Sequence, residues 1–178
     1  MRFNTTIFST LLLTVCILLS GCSRIRKAAR TADVHPEIFP DYIGVTVPVN
    51  IAPLNFMMEG VEEIQATFSV GGEEMATVCG SDGVVDIAVD EWQKMTSKAA
   101  GKTIEVEVSV WNDENPEGIR YKSFEIYVSK DEIDPWIAYR LIEPGYESWR
   151  YMGIYQRELS SFDEDEIITN KTSKSACV

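Results

Sequence analysis

The chain has 178 residues, 45% of them hydrophobic, and 28 acidic residues against 16 basic ones give it a formal net charge of −12 at pH 7. All 28 acidic residues lie at or beyond Asp33, which argues against nucleic-acid binding because phosphate contacts need lysine and arginine. The single histidine, His35, excludes a metal site built from several histidines.

The first 22 residues predict a bacterial lipoprotein signal. An apolar run over residues 7–19 follows one basic residue and ends in Leu-Ser-Gly-Cys at 19–22. This run is shorter than the roughly 20 residues of a membrane-spanning helix. Its ending fits a lipobox better than the small-x-small cleavage pattern of an ordinary signal peptide. We therefore expect residues 1–21 to be removed by cleavage between Gly21 and Cys22, and the Cys22 thiol to carry the lipid that anchors the protein to a membrane.

Residues 22–35 are predicted to form a basic, flexible tether. Their basic residues are Arg24, Arg26, Lys27 and Arg30. Such residues are attracted to anionic headgroups by about 1 kcal/mol each when they lie at a bilayer surface, although a solvated linker of this composition is the plainer interpretation. We expect a lipid-anchored protein of the cell envelope, on the outer membrane and facing the periplasm. The choice between inner and outer membrane stays open.

Residues 36–130 predict an all-β domain, an antiparallel sandwich of the immunoglobulin or fibronectin type with one short helix. Apolar residues alternate over 42–49 and 63–70, as in strands with one buried face. Glycine-containing turns at 71–72 and 80–83 separate further strands at 74–79 and 84–89. Several short strands joined by turns over about 90 residues are typical of a sandwich.

One helix is predicted between residues 90 and 101. Asp90 is a suitable N-terminal cap, and Gly101 is a suitable end. Trp92, Met95 and Ala99 fall at helical spacing, which indicates a stripe that packs on the sheet rather than a ligand site.

A hairpin over residues 103–129 is the clearest strand signal. The polar segment 112–118 contains proline and glycine and predicts a long hairpin loop. Ile119 and Tyr121 are out of phase with the apolar positions that begin at Phe124, so we expect a β-bulge just before Phe124.

The composition changes after Pro135. Aromatic-rich strands are predicted at 136–142 and 152–159, followed by an acidic turn at 160–166 and a short strand. This arrangement is similar to one hairpin of a propeller blade. The runs IAYRLIEPGYESW and MGIYQREL resemble the start of the propeller region in TolB-like β-propeller lipoproteins of the Bacteroidetes.

The resemblance implies that residues 131–178 are a partial propeller blade, the first part of a truncated domain. In that group the run leads into a Cys-x-Asn-Cys-His haem-attachment motif, and Cys177 lies where its first cysteine would be. The second cysteine and the histidine of the motif are absent from this sequence, so we expect no cofactor here and c-type haem only in a full-length relative. The alternative is a tail that packs on the sandwich as a finished element.

Other candidate sites favour structural interpretations. Cys79 and Cys177 are a possible disulfide in an oxidising compartment, but their spacing does not decide it. The acidic segments 113–117 and 163–166 lack the ligand spacing of a calcium loop and are predicted to be solvated turns without a metal.

The sequence thus predicts a non-catalytic, lipid-anchored protein whose β-sandwich is the spacer and interaction module of a propeller lipoprotein. The alternative is a stand-alone lipoprotein that binds a glycan or a protein partner through exposed aromatic residues. A hydrolase is a remote alternative, because no pair of carboxylates is placed across a predicted cleft. The aromatic residues available for a binding face are Trp111, Tyr121, Tyr127, Trp136, Tyr146, Trp149 and Tyr151.

Overall fold

The computed structural model describes residues 25–142 and 152–169, which form twelve β-strands and one helix. The predicted signal peptide, Cys22 and Cys177 lie outside the described residues. The strands are β1 Arg30–Thr31, β2 Thr46–Val47, β3 Phe56–Met57, β4 Glu63–Val70, β5 Glu73–Ser81, β6 Val84–Val85, β7 Thr103–Asn112, β8 Asn115–Arg120, β9 Phe124–Val128, β10 Trp136–Leu141, β11 Gly153–Glu158 and β12 Glu164–Thr169. The helix α1 spans Val89–Ala99, between β6 and β7.

The long strand β7 organises the main sheet. One edge of β7 pairs with β4, which in turn pairs with β5, and these contacts are antiparallel. The other edge of β7 pairs with β8 over its second half and with β9 over its first half. The sheet is completed by β1, which runs parallel to β8, and by β2, which runs parallel to β9.

The return strand of the hairpin contains the predicted irregularity. Ser109 pairs with Arg120, and Val106 pairs with Phe124. The chain therefore moves three positions along β7 but four positions between β8 and β9, so that one extra residue is inserted. An inserted residue reverses the side-chain alternation beyond it. This confirms the predicted bulge and explains why Tyr121 is out of phase with β9.

The core lies on one face of this sheet. Alternate residues of β4 and β7 are buried there, beginning with Ile64 and Ile104. The second layer consists of α1, the two-stranded ribbon β3–β6 and the irregular chain between them, and α1 contributes the completely buried Trp92 and Met95. The predicted all-β sandwich class, with one short helix, is confirmed. One of its two layers is mostly irregular chain.

Several predicted elements are shorter than their patterns suggested. The strand predicted at 42–49 is reduced to β2, and the one at 84–89 is reduced to β6. The prediction of a long hairpin loop at 112–118 is wrong, because β8 already begins at Asn115. Only a short turn remains, at Asp113 and Glu114. The Asn112 side chain accepts a hydrogen bond from the Asn115 backbone N–H at 2.9 Å, which closes the turn locally.

The start of α1 also differs from the prediction. The residue before the helix is Ala88, which has no side-chain cap, and Asp90 lies inside the first turn. The Asp90 carboxylate instead accepts a hydrogen bond from Lys94 Nζ at 3.0 Å, one turn further on. This contact lowers the pKa of Asp90 below its usual range.

Residues 25–35 do not form the flexible tether that the sequence predicted. The backbone N–H of Ala29 donates to Glu117 O at 3.1 Å, and that of Ala32 donates to Arg120 O at 2.8 Å. Further on, Lys122 N–H donates to Val34 O at 3.0 Å. The outer edge of β8 offers unpaired backbone groups, and the N-terminal chain satisfies them by adding β1.

The C-terminal sheet is a three-stranded antiparallel meander, β10–β11–β12. It contacts the sandwich through the backbone N–H of Ala52, which donates to Leu159 O at 2.6 Å. The two predicted aromatic-rich strands are present as β10 and β11. The acidic turn is shorter than predicted, because residues 164–166 belong to β12. The turn predicted after residue 142 lies outside the described residues, and among those described no helix is long and apolar enough to cross a membrane.

Candidate functional site at the N-terminal strap

The outer face of the main sheet carries a tryptophan where its neighbours are polar. Glu105, Glu107 and Ser109 point away from the core, and Trp111 continues the same alternation. Trp111 is nevertheless only 5% exposed. The N-terminal segment 25–28, here called the strap, lies across this face and covers it.

A cleft of about 650 Å³ opens beside the strap. Its floor comes from the ends of β4, β5 and β7, and one wall comes from the strap itself. The lining residues are Arg26, Glu63, Ile64, Gln65, Cys79, Gly80, Ser81, Val84, Asp86 and Trp111.

Arg26 is the centre of the contacts in this cleft. Its guanidinium carbon lies 4.9 Å from the centre of the Trp111 ring, in cation–π geometry. The guanidinium also forms an ion pair with the Glu63 carboxylate. One further N–H donates to Pro116 O at 3.4 Å, and the backbone N–H of Arg26 donates to Gln65 Oε1 at 2.9 Å.

Gly118 makes room for the tryptophan. It has a φ of +83°, and a Cβ atom placed on it would lie 2.2 Å from Trp111 Nε1. A side chain at this position would therefore displace the indole ring from beneath Arg26. The positive φ independently favours glycine here.

Cys79 lies in the floor of the cleft, on β5 directly across from Gln65 of β4. Its thiol donates to Gln65 Oε1 at 3.9 Å. Burial raises the pKa of the Cys79 thiol, and the negative charge of Glu63 raises it further. The thiol is therefore held in its neutral, unreactive form at neutral pH. Cys177 lies outside the described residues, so its pairing with Cys79 is untested.

Chemically, the cleft is suited to holding a guanidinium group. An aromatic face, a carboxylate and the backbone carbonyl oxygen of Pro116 converge on one cation. The chain fills this position with its own Arg26, and the result is a latch that fixes the N-terminal strand to the sheet.

The structure leaves the predicted site residues untested. Gly21, Cys22 and Cys177 lie outside the described residues. Asp113 and Glu114 are exposed at the turn between β7 and β8, as expected for solvated residues. Among residues 25–142 and 152–169, no group of three or more histidine, cysteine or acidic side chains is placed to hold a metal.

Comparison of the chain with protein-family models, with curated proteins and with solved structures finds no match.

Replacing Arg26 with alanine should loosen the strap without unfolding the sandwich. The variant loses a partly exposed ion pair and a cation–π contact, together worth about 1 kcal/mol. We therefore expect amide hydrogen exchange at Ala29 and Ala32 to accelerate about fivefold. Lys27→Ala is the matched control, because Lys27 is exposed and forms no ion pair within 4.0 Å with any residue that the structure describes. Equal exchange in the two variants would contradict the latch.

Proposed function

We propose that this chain is a lipid-anchored envelope protein whose β-sandwich is a non-catalytic spacer and interaction module. In this proposal Cys22 carries the lipid, the sandwich stands on the membrane, and the C-terminal sheet is presented away from it. The observation that carries the proposal is that the strap and the C-terminal sheet connect to opposite ends of β7.

The strap lies at the end of β7 that carries Trp111. Arg26 contacts Trp111 and Pro116, both of which lie close to the turn between β7 and β8. Arg26 therefore holds the strap at this end of the sheet. A lipid attached to Cys22, four positions earlier, would place this end of the sheet within roughly 14 Å of the bilayer, since an extended residue spans at most about 3.6 Å.

The C-terminal sheet follows from the other end of β7. Strand β9 runs toward the start of β7, where Tyr127 pairs with Thr103. Beside that pair, Gly101 N–H donates to Val128 O at 2.8 Å. Strand β9 ends at Val128, and the chain that follows it leads to β10. A strand of ten residues spans about 30 Å. This length supports the role of a spacer between the membrane and the C-terminal sheet.

We further propose that the C-terminal sheet is part of a propeller blade of the TolB-like lipoprotein type. The support is its connectivity, because β10, β11 and β12 are consecutive antiparallel neighbours, as strands are within a blade. The proposal assigns no cofactor to this chain, and c-type haem only to a longer relative.

A stand-alone lipoprotein that binds a glycan or a protein partner is the second candidate. It is favoured by the apolar side chains that the C-terminal sheet exposes, among them Trp136 and Phe162. A continuation of the native polypeptide beyond the printed sequence, detected as a heavier product in the membrane fraction, would favour the propeller proposal over this one.

The spacer proposal predicts different distances from the membrane for the two ends of β7. Asp113 and Lys102 are both exposed and flank this strand. Each is replaced by cysteine in the lipidated protein, with Cys79 and Cys177 changed to serine, and labelled with a fluorescent donor. In vesicles that contain an acceptor lipid, we expect strong energy transfer from position 113 and weak transfer from position 102.

Vesicles without the acceptor lipid provide the control for donor quenching. Equal transfer from positions 113 and 102 would mean that the sheet lies flat on the bilayer, and this would contradict a spacer. Stronger transfer from position 102 would reverse the proposed orientation.

A further inference from the structure

Within the described part of the chain, strand β10 has a free backbone edge. It pairs with β11 on one side, and none of the strands in the described residues pairs with its other side. Leu159 N–H donates to Pro135 O at 2.8 Å, so the backbone groups of alternate residues from Pro135 onward point toward β11. The backbone N–H and C=O groups of Trp136, Ala138 and Arg140 consequently point away from β11, toward the open edge. These residues offer a row of donors and acceptors to another strand.

The two edges of the C-terminal sheet differ in charge. Strand β12 begins with three consecutive acidic residues, 164–166, and charges of this kind discourage the addition of a further strand. Strand β10 has no acidic residue and one basic residue, Arg140. Its apolar side chains are exposed, with Trp136 at 51% and Ile137 at 45%. The β10 edge is thus the one that remains open to pairing.

The sequence of β10 is complementary to itself when two copies run antiparallel. With Ala138 on a two-fold axis, Trp136 faces Arg140 of the second copy, and Ile137 faces Tyr139 of the second copy. The first contact joins a cation to an aromatic ring, and the second is a pair of an aromatic and a β-branched residue that stabilises sheets. Alanine at the axis allows the backbones to approach without a steric clash.

This alignment also matches the backbone groups. Trp136, Ala138 and Arg140 are the outward-pointing residues, and each of them meets an outward-pointing residue of the second copy. A shift along the strand that places Arg140 opposite Arg140 of the second copy brings like charges together. Repulsion between the two Arg140 side chains therefore disfavours that shifted register.

We propose that two copies of this chain associate through β10 and form a continuous six-stranded sheet with two-fold symmetry. This interface is isologous, because the same surface of each copy contacts its equivalent. The inference goes beyond the spacer function and does not depend on it. Its occupant is a second copy of this chain, since the β10 side chains from Trp136 to Arg140 face complementary side chains of β10 itself.

The test is the association state of the lipidated protein in detergent, measured by sedimentation over a concentration series. The wild-type protein should show a monomer–dimer equilibrium. Arg140→Glu should raise the protein concentration at which half of the chains are dimeric at least tenfold, because it removes the cation that faces Trp136. Lys122→Glu, an equal change of charge at an exposed position outside β10, should leave that concentration unchanged.

A second variant, Ala138→Pro, removes one outward N–H and keeps the bonds between β10 and β11, as proline does on edge strands. It should be monomeric, with a circular-dichroism melt like that of the wild-type protein. A wild-type protein that is monomeric at every concentration overturns the proposal, whether the edge stays free or binds a strand of another protein. A dimer that neither variant weakens also overturns it, because the interface then lies elsewhere.

Discussion

Trp92→Ala should lower the free energy of unfolding of the sandwich by about 3–5 kcal/mol, the usual cost of removing a large aromatic side chain from a core. Trp92 is completely buried where α1 packs on the sheet. Its Nε1–H donates to Ile51 O at 3.0 Å, so the truncated variant also leaves a carbonyl without this partner. Because domains are typically stable by about 5–15 kcal/mol, this change removes a large share of the total.

Urea denaturation followed by far-ultraviolet circular dichroism measures the effect without relying on tryptophan fluorescence. Trp92→Phe is the comparison variant, because phenylalanine keeps most of the ring volume and loses only the indole N–H. We expect its destabilisation to be less than half that of Trp92→Ala. Equal unfolding midpoints for the wild-type protein and Trp92→Ala would show that α1 does not belong to the core.

The long strands could be predicted because their patterns are local and strong. In β4 every second residue is buried, β7 shows the same alternation from Ile104 to Val108, and this period is visible in the sequence. The bulge was also predictable, because a single inserted residue shifts the phase of the apolar positions after it. The helix was recognised from the spacing of Trp92 and Met95, although its first residue depends on backbone geometry that the sequence does not encode locally.

The second layer of the sandwich was not predictable in this way. Its strands β3 and β6 have two residues each, and such short pairs carry no measurable alternation. The positions of these short strands follow from tertiary contacts. The alternating apolar residues at 42–49 lie mostly in irregular chain that packs on the core. Pattern analysis therefore overestimated the strand content of this layer.

The latch was missed for a similar reason. Arg26 and Glu63 are 37 positions apart, and no motif connects them. One signal was available, since Trp111 continues a series of polar positions on the outer face of β7. A large aromatic residue on a polar face implies that something covers it. The basic composition of the N-terminal segment instead favoured a solvated tether, whereas the free edge of β8 binds that segment.

Cys22→Ala should abolish the lipid-mediated attachment of the protein to the membrane. In the proposed function the lipid on Cys22 is the anchor, and alanine has no thiol to accept it. Two or more acyl chains give stable binding, whereas a protein without them has no comparable affinity for a bilayer. We expect the variant either to be released as a processed, soluble protein or to persist as a precursor that retains residues 1–21.

Fractionation of the producing cells, combined with the intact mass of the protein in each fraction, distinguishes these outcomes. Cys16→Ala is the matched control, because it removes a thiol from the same signal region and leaves the lipobox unchanged. That control should behave like the wild-type protein and carry lipid mass on its new N-terminal residue, Cys22. A Cys22→Ala protein that is processed and still held in the membrane would contradict the lipid anchor. With that result, the attachment point of the sandwich would be unknown. The proposal that the Trp111 end of the sheet faces the membrane would then be wrong.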